Sequence, residues 1–318
     1  MVLGGCESSW REVVSGVPQG SVLGPILFTI YINDLEEEVL NKVLKFADDS
    51  KILGKVSSES EINELHGDLE RLFLWSQDWQ MPFNLDKCKV MHLGRKNKGA
   101  QYSLGGRQLG VVKLEKDLGV IISDDLKVAI QCGKAASKGY QALGLVSRTF
   151  VSRKREIILK LYKSLVRPHL DYCVQAWRPH LVKDCEVLER VQRRATRMID
   201  GCRGLEYAAR LKILNLTTLE TRRLRADLVE VYKIMHGMEN VEGSMYFERV
   251  LTGMSRITRG NEFKLFKKSV NLDLAKYNFG NRVVDEWNHL PDTLILGKNL
   301  GVFKGKLDKF LEHTRGFT

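Results

Sequence analysis

The chain has 318 residues, 43% apolar and 28% charged, which is too hydrophobic for a disordered polymer and long enough for about two domains. No stretch approaches the roughly 18 uninterrupted apolar residues that a membrane helix needs, and the first residues lack a basic run followed by an apolar core, so a soluble, intracellular protein without a membrane partner is expected. Six scattered cysteines with no Cys-x-x-Cys pair fit reduced thiols rather than a disulfide framework. The net charge of +11 is unevenly spread: residues 1–130 hold 15 Lys/Arg against 19 Asp/Glu, residues 131–235 hold 22 against 10, and residues 236–318 hold 13 against 10. A basic middle third beside an acidic first third suggests a surface for a phosphate backbone next to a site for cations, although solvated Arg-rich helices would give the same balance.

In chain order, residues 10–20 (WREVVSGVPQG) read as a short strand running into a Gly/Pro turn, and Pro25 opens a largely buried helix or strand over 26–35. Residues 43–46 and 51–53 form a hairpin across a turn at 47–50. Ser58 and Glu61 stand in capping-box spacing ahead of Ile62, Leu65, Leu69, Leu72, Phe73 and Trp79, which predicts an amphipathic helix ending before Pro82. Residues 88–93 and 118–123 are further strands, and the alternation up to about residue 125 indicates an α/β (α+β) domain. Beyond it the period turns helical: one apolar face carries Ile157, Ile158, Leu161, Tyr162, Leu165 and Val166, and another carries Val187, Leu188, Val191, Ala195, Met198 and Ile199. On the second of these helices Arg190, Arg194 and Arg197 line up as a basic stripe on the opposite side. A further helix covers 217–236, and a Gly-rich stretch near 237–261 reads as a loop between parts.

The hairpin holds two adjacent carboxylates, Asp48 and Asp49, in the segment FADD. Alone, such a pair reads as a polar turn. Its neighbours argue for more: SGVPQGSVLGPILF (15–28) precedes it, and NLDKCKVMHLG (84–94) and EKDLGVIIS (115–123) follow. In this order the segments resemble the palm of reverse transcriptases from non-LTR, LINE-type retrotransposons, especially the jockey-like group. The resemblance continues through LYKSLVRPHLDYCVQAW and LERVQRRATRMI to NRVVDEWNHLP, and so covers most of the chain.

The resemblance implies roles for individual residues. Asp48 and Asp49 match the aspartates that hold the Mg²⁺ ions of polymerisation, with Asp48 the direct ligand, and Phe46 and Ala47 complete the motif. Such chemistry needs hard cations to lower the charge on the attacking 3′-oxygen and the departing pyrophosphate, and Mg²⁺ prefers carboxylate oxygen. Gly16, Pro18, Gln19, Gly20 and Ser21 match the segment that supports the templating base and the incoming nucleotide. Lys87 matches a lysine that protonates or neutralises pyrophosphate, with Lys89 as a rival and a plain surface lysine an equal reading. Leu118 and Gly119 match the turn that grips the primer end. The middle third becomes the thumb, with Arg190, Arg194 and Arg197 on the nucleic-acid backbone. His169, Cys173, His180 and Cys185 have spacings loosely like a zinc knuckle but lack its Cys-x-x-Cys anchor, and Trp177 and Trp287 read as core anchors.

The expected architecture is a partial polymerase palm over 1–125, a helical, basic, thumb-like region over 126–236 and a C-terminal region over 237–318. The expected partners are an RNA template and a DNA primer. In the family a further aspartate lies on a strand upstream of the Gly-Val-Pro-Gln-Gly segment, whereas the acidic residues before Gly16 are Glu7 and Glu12, in no matching context. A truncated RNA-directed DNA polymerase, inactive alone, is therefore expected, with a catalytically dead nucleic-acid-binding remnant as the alternative. The same gap predicts an unpaired sheet edge and an uncovered apolar face in the palm segment, and hence an unstable or oligomeric first part.

Overall fold

The computed structural model describes residues 2–9, 20–250 and 263–316. The strand expected over 10–20 falls almost wholly outside the described residues, as do Gly16, Pro18 and Gln19. The chain divides into two compact units, Met1–Lys113 and Leu114–Thr318. Helix dominates and the sheets are small, a mixed α and β composition.

The first unit opens with a short antiparallel pair, β1 (Val2–Leu3) and β2 (Cys6–Glu7), followed by helix α1 (Leu23–Tyr31). Strands β3 (Lys42–Phe46) and β4 (Asp49–Leu53) form the expected hairpin, with Phe46 paired to Asp49. Helix α2 (Glu59–Asp78) starts where the capping box puts it: the Ser58 hydroxyl accepts from the Glu61 N–H, and the Glu61 carboxylate accepts from the Ser58 N–H at 3.0 Å. Such a cap is worth about 1 kcal/mol. The ladders that follow are two residues long: β5 (Lys89–Val90) pairs parallel with β8 (Gly110–Val111), and β6 (Ser103–Leu104) pairs with β7 (Arg107–Gln108). Ile62, Leu69, Tyr102, Leu104 and Leu109 make a small core.

Every ladder among the described residues is two-stranded. One expectation for this unit needs correction: the run after Pro25, expected to be largely buried, is not, since Leu23, Ile26, Leu27 and Ile30 of α1 are 51–67% exposed. An apolar run dictates a preference for cover but cannot supply the cover.

The second unit begins with the hairpin β9 (Leu114–Asp117) and β10 (Val120–Ser123) and continues into α3 (Ala129–Thr149). Helix α4 (Arg155–Leu161) then passes through a π turn (Tyr162–Val166) into α5 (Arg167–Asp171). Ile158, Tyr162, Val166 and Leu170 are all buried, a four-residue repeat that a regular helix would rotate by about 40° per step. The wider π turn offsets that drift and leaves Ile157 and Leu165, expected on the apolar face, partly exposed. Helices α6 (Val174–Trp177), α7 (Val182–Arg197) and α8 (Tyr207–Leu214) complete a core in which Leu188, Val191 and Trp177 are buried.

Helix α9 (Leu219–Met235) starts at Thr218, whose hydroxyl accepts from the Thr221 N–H at 3.2 Å. The buried Glu189 carboxylate also accepts from the Leu219 N–H at 3.0 Å and from the Tyr207 hydroxyl, and burial pushes its proton affinity above the ordinary carboxylate range. A second core gathers the C-terminal half of α9, Leu265 of β12 (Leu265–Phe266), the short helices α11 (Phe279–Arg282), α12 (Val284–Asn288) and α13 (Asp292–Ile295), and α14 (Leu300–Arg315), while the exposed strand β11 (Glu248–Arg249) pairs with β12 and the short helix α10 (Asp273–Lys276) buries none of its residues. Trp287 is fully buried there and donates its indole N–H to the Phe263 carbonyl at 2.9 Å, so both tryptophans expected as core anchors are such.

Candidate active site and basic surfaces

The tip of the β3–β4 hairpin is a two-residue turn of Ala47 and Asp48. Ala47 has φ +50°, a left-handed conformation that costs a side-chain-bearing residue roughly 1–2 kcal/mol. Phe46, Asp48 and Asp49 are exposed, and neither aspartate has an ion-pair partner among the described residues. Two solvent-facing carboxylates on adjacent residues are a donor set suited to a hard divalent cation. Among the described residues, no three His, Cys, Asp or Glu side chains gather into a metal-binding group.

The hairpin is held at its base by α2. The Asp68 carboxylate is buried and accepts from the Leu40 N–H at 3.0 Å, the Asn41 N–H at 2.8 Å, the Asn41 side-chain amide at 2.8 Å and the Arg71 guanidinium at 2.5 Å. At the other strand end, a Cβ on Gly54 would stand 3.0 Å from Leu65 and 3.2 Å from the Asn41 side-chain oxygen, so a larger residue there would have to push these side chains aside. Lys45 donates to the carbonyls of Ile32 and Asn33 at 3.2 and 2.9 Å, fixing β3 to the turn after α1.

Burial favours a protonated Asp68, but the backbone and side-chain donors outweigh it and hold its proton affinity below the usual value. A depressed acid contributes stability above the unfolded-state value of about 3.9 and loses it as pH falls through the lower folded value. The Leu40 and Asn41 amide resonances are therefore expected to stay fixed from neutral pH to about pH 4 and to move together only below it. Movement with a midpoint near pH 6 would contradict the four-donor arrangement.

The remaining predicted site residues are spread along the first unit and into the second. Gly20 has φ +85°, and the Ser21 hydroxyl accepts from the Gly24 N–H at 3.0 Å, anchoring the start of α1. Lys87 is exposed in the turn after α2, where its N–H donates to the Asn84 carbonyl at 3.0 Å. Leu118 and Gly119, at φ +43° and +88°, are the two turn residues between β9 and β10 and belong to the second unit. The Tyr172 hydroxyl donates to the Leu118 carbonyl at 2.9 Å, and a Cβ on Gly119 would stand 3.1 Å from the Tyr172 ring.

Asp68 and Tyr172 are supporting residues that the sequence reading did not single out. Asp68 left a trace, since it lies within the stripe of Ile62, Leu65, Leu69 and Leu72, where an exposed acid has no place. Tyr172 left none, because its partner is 54 residues away.

Arg190, Arg194 and Arg197 emerge exposed on the outer face of α7. Arg190 lies 3.8 Å from Glu186, and Arg194 lies over the Tyr140 ring at 5.6 Å. His180, from the zinc-like spacing, stacks flat on Tyr277 with ring centres 3.9 Å apart, and the Cys185 thiol donates to the Pro179 carbonyl at 3.6 Å.

Residues 2–145 match the family model described as reverse transcriptase (RNA-dependent DNA polymerase), a span that includes the hairpin and the Leu118–Gly119 turn. The RNA-directed DNA polymerase from mobile element jockey of Drosophila melanogaster is 25% identical over 261 residues, covering 77% of this chain and 27% of that protein. Its Drosophila funebris counterpart is 28% identical, covering 62% and 23%, and the probable RNA-directed DNA polymerase from transposon X-element of Drosophila melanogaster is 25% identical, covering 61% and 23%. Residues 2–145 are thus a reverse transcriptase segment, and the chain is similar to the RNA-directed DNA polymerases of the jockey and X-element mobile elements. No solved structure matches it. The chain spans about a quarter of the length of these relatives, and their similarity runs past residues 2–145 into the helical second unit. No helix among the described residues is long and apolar enough to cross a membrane.

Proposed function

We propose that this chain is a segment of an RNA-directed DNA polymerase that copies an RNA template from a DNA primer. The supporting observation is the FADD hairpin: a strained turn, clamped at its base by Asp68, presents Asp48 and Asp49 to solvent with no ion-pair partner among the described residues. In this reading Asp48 and Asp49 hold Mg²⁺, which when bound lowers charge on the attacking and leaving oxygens. Lys87 neutralises departing pyrophosphate, Gly20 and Ser21 lie in the nucleotide-supporting segment, Leu118 and Gly119 carry the primer end, and the Arg190, Arg194 and Arg197 face follows the backbone.

Two adjacent carboxylates grip a divalent cation weakly, so a third acidic ligand has to join them for efficient polymerisation. The second reading, a nucleic-acid binder silent in catalysis when alone, draws on the fact that no such group forms among the described residues. Primer extension on an RNA template distinguishes the two readings. Mg²⁺-dependent extension by the chain, abolished in Asp48→Ala, supports the polymerase. Binding of template–primer without extension, unchanged in Asp48→Ala, supports the silent binder. Extension unaffected by Asp48→Ala would sink the assignment of the hairpin.

A further inference from the structure

A concentration of positive charge without acidic partners lies on the helix that runs through the π turn. Arg155, Lys160 and Lys163 line one shallow surface groove together with Glu156, Leu159 and Ser164. None of the three cations has an acidic partner within ion-pair distance among the described residues. Arg155, Lys163 and Arg167 also repeat at multiples of four, the spacing that the π turn keeps in line for the buried Ile158, Tyr162, Val166 and Leu170. The same adjustment that aligns the core residues therefore aligns these cations in a parallel row.

Helix α9 adds a fifth cation. Arg222 donates to one Asp171 oxygen at 3.1 and 2.7 Å, and Arg167 approaches that same oxygen at 3.8 Å. Two guanidinium groups thus share one carboxylate oxygen, and Glu156 is the acid among the residues that line the groove. Burial first, and then Arg167, Arg222 and Arg155, hold the Lys163 ammonium below its ordinary proton affinity. Arg167 is lowered in the same way by burial and by Arg222. An array of like charges held together by its fold is relieved by an incoming polyanion.

We propose that Arg155, Lys160, Lys163, Arg167 and Arg222 form a phosphate-backbone site for duplex nucleic acid, beyond the Arg190, Arg194 and Arg197 face. The row from Arg155 to Arg167 extends about 18 Å along the helix, long enough to meet several phosphates of one strand. Lysine and arginine without an aromatic or amide side chain among them give charge without base selection. The site rests on the reading that the chain binds nucleic acid, and the test separates the two ideas.

The test measures binding of the full chain to a fluorescein-labelled 20-base-pair RNA–DNA hybrid by fluorescence anisotropy between 50 and 200 mM salt. Lys160→Gln with Lys163→Gln is expected to weaken binding on the order of tenfold and to flatten the slope of log K against log salt by about two. Lys298→Gln with Lys309→Gln removes the same charge from exposed positions elsewhere and is expected to leave the slope unchanged. Equal slopes for the two double variants would overturn the site while leaving nucleic-acid binding intact. Absence of binding by the unmodified chain would overturn both. Polyglutamate held as tightly as the hybrid, and equally weakened by the first pair of substitutions, would reassign the groove to acidic protein.

Discussion

Replacing Asp227 by alanine is expected to lower the unfolding free energy of the helical unit by roughly 3–5 kcal/mol. The Asp227 carboxylate is fully buried in α9 and is shared by two arginines. Arg178 donates to it at 3.0 Å, and Arg282 donates through two nitrogens at 3.0 Å each. Arg282 also donates to the carbonyls of Gln175 at 2.9 Å and Tyr277 at 3.2 Å, so one guanidinium ties α6, α9 and the segment before α11 together. Alanine would leave two nearly buried cations with no counter-charge, which is far more costly than losing an exposed ion pair. Urea unfolding followed by circular dichroism measures the loss as a shift in midpoint at unchanged slope. A loss under 1 kcal/mol would mean that water or another acid takes over the arginines. The Arg178→Gln variant removes one donor and keeps the carboxylate paired with Arg282, so a smaller loss is expected.

The second large effect is a contrast in stability between the two units. Backbone amides of α1 and the β3–β4 hairpin are expected to exchange with solvent on the order of 10³-fold faster than those of α7 and α9, equivalent to about 4 kcal/mol less opening free energy. The first unit rests on two-stranded ladders and one small core, and its apolar helix α1 is exposed. The second unit buries two large clusters around Trp177 and Trp287. Isolated two-stranded ladders are marginal in water, whereas helices sharing a deep core open only with the whole unit. Uniform, strong protection across residues 20–113 would refute this contrast. Protection of α1 that rises with protein concentration would instead show its apolar face being covered by self-association.

The helices were the most legible part of the sequence, because caps and apolar period are local signals. Ser58 and Glu61 located the start of α2, and the Val187–Ile199 pattern located the buried face of α7. The FADD hairpin was legible for the same reason, although its turn is tighter than the four residues expected. Burial was less legible. The run after Pro25 is apolar enough for a core, yet what covers a helix depends on elements far along the chain. Buried acids were missed because Asp68 and Asp227 each gather donors from distant segments that no local pattern announces, even though Asp68 falls within the apolar stripe of its helix. Gly20 and Ser21 were found at the start of α1, but the rest of their motif lies outside the described residues. Of the basic residues, the α7 stripe could be read from spacing, whereas the cluster at the π turn could not, because Arg222 joins it from 55 positions beyond Arg167.

The β9–β10 hairpin bears on how this protein can be divided for expression. Its turn is fastened by the Tyr172 hydroxyl to Leu118, and the Gln131 side chain accepts from the Ile121 N–H at 2.9 Å. A fragment cut at residue 125, where the strand pattern gives way to helices, would strand the ribbon from both fastenings and expose the α3 surface that Val120 covers. A cut between Lys113 and Leu114 keeps the ribbon with its anchors. The helical half should therefore be produced from residue 114 onward.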